Sequence, residues 1–486
     1  MTRFLQNERA VYLALVLYFT LGFLVRLFCG PGLELDEAEM VLRAQDLALG
    51  YGPQFPVYNW YQSLVFDLFG LSVASIAAAK FALLALAACL AVAGLRRLTG
   101  DRAAGAVAGL SLALLPDLMW EAQRSLTHSV AVIAATTALI WAYAAVLDRG
   151  RWRDYGVLGV VFGLACLSKA NIYLMIVPAI LVLLVLRPAR AGFRPLRIGR
   201  LALAAGIAAC IEGLPLWWMV SHPAAATASG GKFYRGDESA VLAVLGGELG
   251  AVILCLLFWA AMAIFLRRRP KGLQSARLDM VIRALFGLWG LAALLILGAA
   301  LGIGITRLSP RWLLPLSICF TIAVALWAYR RAPEVAGRAM GWTALALGLV
   351  VLAGLGVTRG LMPSRLNADA PELAARVGAM ADRAQAEVIT GDSWLLGMVG
   401  LRDQRVRDDA LQTCPHHPLR LVTVERDFGD TVPSRAALPS DGVACQARLV
   451  SQQRFVLPSV ARWAQEADGA PVRLSVWDYA PAVTQP

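Results

Sequence analysis

Eleven apolar stretches dominate this chain and fix the class of fold open to it. They lie near residues 11–29, 71–95, 103–120, 126–147, 154–170, 172–187, 199–220, 240–266, 283–305, 310–330 and 339–360. A bilayer core takes roughly 20 apolar residues of helix. It offers backbone amides no water, so such stretches must close their hydrogen bonds internally, as helices. Composition agrees: 58% of residues are hydrophobic and 16% charged, against about 25% charged in soluble domains. The expectation is an α-helical polytopic membrane protein with about eleven transmembrane helices. The pair 154–170 and 172–187 is tight enough to form one re-entrant hairpin instead, which would leave the topology unchanged. The first stretch, Val11 to Cys29, is long for a signal segment and lacks a small-x-small site, so it reads as a retained helix.

The net charge of +12 does not point to nucleic acid, because the basic residues sit between the apolar runs. Arg96, Arg97 and Arg102, then Arg149, Arg151 and Arg153, then Arg187, Arg190, Arg194, Arg197 and Arg200 occupy alternate connections. Arg267 to Arg277 and Arg330 to Arg338 continue the series. Cytoplasmic connections are enriched in Lys and Arg. These connections therefore read as cytoplasmic, in the cytoplasmic (inner) membrane, and the first acidic loop and the C-terminal segment read as external.

Composition changes after Gly360. Residues 361–486 are polar and have no spanning run, so the expected division is a membrane domain, 1–360, and a small soluble α/β domain, 361–486. Within the latter, 370–386 reads as an amphipathic helix and 388–392 and 419–424 as strands. Six cysteines lie in or beside the spans and read as small apolar residues. Cys414 and Cys445 lie in the polar domain, where an oxidising compartment would permit a disulfide.

The chemistry-bearing feature is the loop Leu33-Glu34-Leu35-Asp36-Glu37-Ala38-Glu39, four carboxylates directly after the first apolar run. Ionisable groups at a membrane boundary are costly and mark function by default. Tyr51 to Trp60, aromatic and Pro-rich, reads as a structured interfacial loop, so the first external loop extends over 30–70. The bland alternative is that Asp36 merely caps a helix starting at Glu37, and Glu34 and Glu39 read as solvated. Four cations approach the outer ends of spans: Lys80, Arg124, Lys169 and Arg311. A lone Lys near a helix end usually snorkels to headgroups, although Lys80 lies well inside its run. His128 at a span end reads as structural. His416-His417 beside Cys414 matches no standard zinc spacing, so no metal site is assigned. Gly230-Gly231-Lys232-Phe233-Tyr234-Arg235 has the composition of a hinged lid or of a plain loop.

Leu35 to Glu39, Ala44 to Tyr51 and Pro56 to Trp60, in that order, resemble the first external loop of glycosyltransferase family 39. That family holds protein O-mannosyltransferases and lipid A aminoarabinose transferases of the C-type membrane fold. Leu126 to Val130, Gly163 to Lys169, Pro310 to Pro315, and Ile389 to Asp392 with Met398 to Leu401 are similar to further family segments. Each is short; their order and spacing carry the resemblance. A departure occurs at His128, where many members have an acidic residue, and it bears on donor identity and metal dependence.

The resemblance implies an inverting transfer of a sugar from a polyprenyl-phosphate carrier to an external acceptor: lipid A, another glycolipid, a polysaccharide or a protein. Such chemistry needs a base, positive charge for the departing phosphate and a groove for the lipid. Asp36 matches the family's acidic base. Glu37 has two readings, holding a divalent cation or orienting the acceptor. Lys169, Arg311, Lys80 and Arg124 are the phosphate candidates. His128, Tyr58, Lys232 and Tyr234 are candidates for contacting sugar or acceptor. The rival readings are a secondary transporter, for which no internal repeat is visible, and a non-catalytic lipid-binding assembly subunit.

Overall fold

The computed structural model describes residues 1–228, 234–235, 239–267, 272–407, 418–427, 447–465 and 468–479. All eleven apolar stretches are helical over most of their length. Among the described residues, seven helices are long and apolar enough to cross a bilayer, or eight if one bent pair counts as a span. Three expected spans are shorter: Trp152–Cys166 with 15 residues, Tyr173–Leu186 with 14 and Leu314–Arg331 with 18. The bent pair is Arg102–Leu114 and Asp117–Arg124, which meet at 77°. Pro116 explains the bend. It forces Leu115 before it into an extended conformation, φ −93° and ψ 113°, and has no amide proton to continue the ladder.

By internal contacts the chain divides into two compact units, residues 1–22, 48–58 and 80–351, and residues 23–47, 59–79 and 352–486. The sequence placed the boundary near residue 360; the contact grouping puts two early segments with the C-terminal part.

The first unit is a helical assembly packed through small residues. A side chain at Gly159 would put its Cβ 2.5 Å from the Ala204 carbonyl oxygen, and one at Gly94 would meet the Trp141 backbone at 2.9 Å. Only glycine lets these helix pairs approach so closely. Asp101 caps the helix Arg102–Leu110 by accepting from the amides of Ala103 and Ala104, and its other oxygen accepts from the Tyr329 hydroxyl at 2.9 Å. Strands β1 (Tyr234–Arg235) and β2 (Ile305–Arg307) pair antiparallel.

The second unit contains a four-stranded sheet of β3 (Val388–Gly391), β4 (Leu419–Arg426), β5 (Ala447–Leu457) and β6 (Ala470–Tyr479), in the order β3-β4-β6-β5. The β3–β4 pair is parallel, and β6 runs antiparallel to both its neighbours. Residues Leu421 to Val424 are buried on both sheet faces, as an apolar run without alternation demands. The helix Ala370–Ala384 buries Ala370, Leu373, Ala374, Val377 and Ala381, one stripe at helical spacing. Its cap, Asp369, accepts from the Glu372 amide. The helix and strands expected from the sequence at 370–386, 388–392 and 419–424 are therefore present.

Tyr51 to Trp60 differs from its expected form. A turn closes between Tyr51 and Gln54, and Val57–Phe69 is a helix. Proline is tolerated just outside a first turn, where a missing amide costs nothing; the density of Pro and aromatics had suggested continuous loop.

Candidate functional site

Leu35–Arg43 folds as a helix because its N-terminus carries a capping box. Glu34 is the cap, and the Glu37 carboxylate reaches back to the Glu34 amide at 3.2 Å. This differs from the expectation that Asp36 caps a helix beginning at Glu37. Asp36 lies inside the first turn and is partly exposed.

The four carboxylates divide by environment. Glu37 is fully buried and bidentate to Arg26: Nε donates to Oε1 at 3.1 Å and a terminal nitrogen to Oε2 at 2.8 Å. Arg26 also donates to the carbonyls of Gly30 at 3.1 Å and Gly32 at 2.8 Å. One guanidinium thus gathers the whole entry to the loop, and Glu37 is engaged as its counter-charge. Glu34, expected to be solvated, is 3% exposed. Arg359 and Arg365 stand 3.6 and 4.0 Å from it. Glu39 pairs with Arg43 on the same helix at 3.6 Å and retains partial exposure.

The C-terminal part of this unit buttresses the loop. The Trp394 indole donates to the Leu33 carbonyl at 2.6 Å, and the Gly32 amide donates to the Leu366 carbonyl at 2.9 Å. Trp394 opens the helix Ser393–Gly400, whose cap Asp392 accepts from the amides of Trp394 and Leu395. Arg426 holds that cap at 3.0 Å. On the same helix Gly397 lies against Ala38, where an added Cβ would come within 2.4 Å of the Ala38 methyl.

The other candidates belong to the first unit. Lys169 donates to the Ser129 hydroxyl at 3.0 Å. Arg124 pairs with Glu121 at 2.7 Å, and Arg311 donates to Ser309 at 3.2 Å. Lys80 is fully buried within the helix Val73–Thr99, with its ammonium 5.9 Å from the centroid of the Phe81 ring. His128 heads the helix His128–Asp148, and its Nδ1 lies 3.2 Å from the Thr127 hydroxyl. Tyr58 packs on it with ring centroids 5.7 Å apart. Lys232 lies outside the described residues, and Tyr234 is described only through the backbone of β1, so the lid expectation falls there too. Cys414, Cys445, His416 and His417 likewise lie outside them.

Two carboxylates escaped the sequence reading. Asp117 and Glu121 sit on the short arm after the Pro116 bend. Asp117 is within electrostatic reach of Glu121, Arg311 and Lys169. This is a mixed-charge cluster with cations from two other parts of the chain. The signal was present: carboxylates at the end of an apolar run, as in the Asp36 loop. Arg26, Arg359, Arg365 and Trp394 were also missed. Of these only Arg26, a charge inside the first apolar run, was conspicuous in the sequence. Among the described residues no group of three or more His, Cys, Asp or Glu is placed to hold a metal.

Residues 52–229 match the family described as dolichyl-phosphate-mannose-protein mannosyltransferase. The chain is 33% identical over 329 residues to the lipopolysaccharide core galacturonosyltransferase RgtB of Rhizobium johnstonii, covering 65% of each chain. It is 33% identical over 254 residues to RgtA of the same organism, with 52% of this chain and 50% of that protein covered. The chain thus matches 65% and 50% of the lengths of these two relatives. The crystal structure of ArnT from Cupriavidus metallidurans bound to undecaprenyl phosphate superposes with a TM-score of 0.56 at 15% identity, over 98% of this chain and 99% of that one. At that identity the likeness concerns the fold.

Proposed function

We propose that this chain is a C-type membrane glycosyltransferase that transfers a sugar from a polyprenyl-phosphate carrier to an acceptor outside the cytoplasmic membrane. The observation that carries this reading is the division of labour in the acidic loop. Glu37 and Glu34 face arginines and are buried, whereas Asp36 sits partly exposed on the rigid turn they build.

In the proposed reaction Asp36 accepts the proton of an acceptor hydroxyl. The hydroxyl oxygen attacks the anomeric carbon from the face opposite the phosphate, and the configuration inverts. The bond from that carbon to the phosphate oxygen breaks, and the polyprenyl phosphate departs with the electron pair. A positioned base contributes about 100- to 10,000-fold. Fixed cations aimed at the departing charge, in a site poor in water, often contribute more. Lys169, Arg311, Lys80 and Arg124 are the candidates for that task. His128, Tyr58, Lys232 and Tyr234 are the candidates for contacting sugar or acceptor.

The family match and the fold likeness to a transferase solved with undecaprenyl phosphate favour a lipid-linked donor. The names of the two Rhizobium relatives favour a hexuronic acid as the sugar and a lipopolysaccharide core saccharide as the acceptor. The arginine asymmetry favours an inner-membrane protein with the acidic loop and residues 361–486 on the external face.

The test is mass spectrometry of envelope glycolipids from cells with and without the protein, with Asp36→Asn as a third arm. The expected result is a glycolipid lighter by one sugar residue in both the deletion and the variant. Identical profiles in all three would remove the proposed activity.

A further inference from the structure

A cavity of about 410 Å³ in the first unit is lined by Arg149, Gly150, Arg151, Trp152, Arg194, Pro195, Arg197 and Arg200. Five of these eight residues are arginines, and none is acidic. The cavity is built from two connections that the fold ties together. The Arg194 amide donates to the Leu147 carbonyl at 2.8 Å, and the Arg197 amide to the hydroxyl of the buried Tyr155 at 3.1 Å. Arg200 donates to the Gly150 carbonyl and stacks on the Trp152 ring, its guanidinium carbon 4.9 Å from the centroid.

Charge accounting shows what is missing. Among the described residues only Arg149 of the five has a carboxylate within salt-bridge distance, Asp154 at 2.5 Å. The other nearby acid, Asp148, faces Arg277 at 4.0 Å. Four guanidiniums are thus drawn together without counter-charge, an arrangement that self-repulsion opposes and an anion relieves. Guanidinium forks match phosphate oxygens bidentately. The surroundings indicate where the phosphate comes from. The lining connections adjoin the ends of His128–Asp148 and Ile198–Ser221, both long and apolar enough to span a bilayer. Beside the cavity, Trp152 is 57% exposed and Ile198 85% exposed, apolar surface of the kind that meets acyl chains and headgroups at an interface.

We propose that this cavity binds the phosphate headgroup of an anionic membrane phospholipid, held by Arg151, Arg194, Arg197 and Arg200, with acyl chains along Trp152 and Ile198. Basic pockets between spanning helices recognise anionic lipids in this way. The site is separate from the residues assigned to sugar transfer and does not rest on that assignment.

Native mass spectrometry of the full chain in detergent, with phosphatidylglycerol or phosphatidylcholine added, tests it. The expected result is retention of phosphatidylglycerol well above phosphatidylcholine. Arg194→Gln/Arg197→Gln should lower it by about tenfold or more, since it removes two charge-assisted contacts. Millimolar inorganic phosphate should leave the lipid bound. Equal retention of the two lipids, or full retention by the variant, overturns the proposal. Displacement by inorganic phosphate also overturns it and assigns the site to a soluble anion. If the double variant does not purify, Arg194→Gln alone and the phosphate competition on the parent chain still decide.

Discussion

Arg26 and Glu37 form a two-pronged ion pair in which the side chains are 2% and 0% exposed, and the arginine also holds the Gly30 and Gly32 carbonyls. A carboxylate so committed stabilises the loop by staying charged and in place. Removing one partner of a buried pair leaves the other uncompensated and costs about 3–5 kcal/mol, while replacing both with apolar residues is often neutral. Glu37→Gln should therefore lower the unfolding temperature of the purified protein, and Arg26→Met/Glu37→Leu should recover much of it. Unchanged unfolding with abolished transfer would instead place Glu37 in the chemistry.

Asp36→Asn isolates the base. It preserves shape at a partly exposed first-turn position, so the variant should still fold and purify. Transfer should fall at least about 100-fold, in line with loss of a general base. Turnover near that of the parent, measured with a lipid-linked sugar donor, removes Asp36 from the mechanism.

Lys169 and Arg311 lie near Asp117 in the first unit. Lys169→Ala and Arg311→Ala should each weaken binding of a polyprenyl-phosphate analogue as well as turnover. Lys169→Arg should keep more activity than Lys169→Ala, because it retains a charge able to reach Ser129. Equal binding by both alanine variants and the parent would move the phosphate to Lys80 or Arg124.

The buttress behind the loop is testable without substrate. Trp394→Phe removes the donor to the Leu33 carbonyl, leaving a buried acceptor unmet at about 1–3 kcal/mol. Gly397→Val forces a side chain into Ala38, and overpacking of this kind costs about 1–3 kcal/mol. Both changes should lower thermal stability and increase proteolysis around residues 30–45. Parent-like resistance in both would show that the contacts carry little energy.

Orientation has its own measurement. A reporter that is active only after export, fused behind Pro486, should be active, and one in the Arg187 to Arg200 connection should be silent. The opposite pattern would invert the topology inferred from the arginines.

Much of the fold was legible because bilayer burial leaves a coarse signal. Every apolar run became a helix, since no other structure satisfies its backbone in lipid. The stripe Ala370, Leu373, Ala374, Val377 and Ala381 showed its helix, and the continuous run at Leu421 to Val424 its buried strand. Asp36 and Lys169 stood out because charge at the end of an apolar run is conspicuous. Span lengths were less legible: the stretch after Arg102 reads as continuous until Pro116 turns it by 77°.

The sequence by itself determined that the chain is a membrane-spanning helical protein, and it singled out an acidic loop and a handful of cations. It could not divide labour among Glu34, Asp36, Glu37 and Glu39, which look alike as neighbours in a string. Tertiary structure decided that, by bringing Arg359 and Arg365 from more than three hundred residues away to Glu34. It also aimed Arg26 at Glu37 and left Asp36 partly exposed. The physical reason is that burial and counter-charge belong to the folded surroundings of a carboxylate, and its neighbours in sequence supply only part of them.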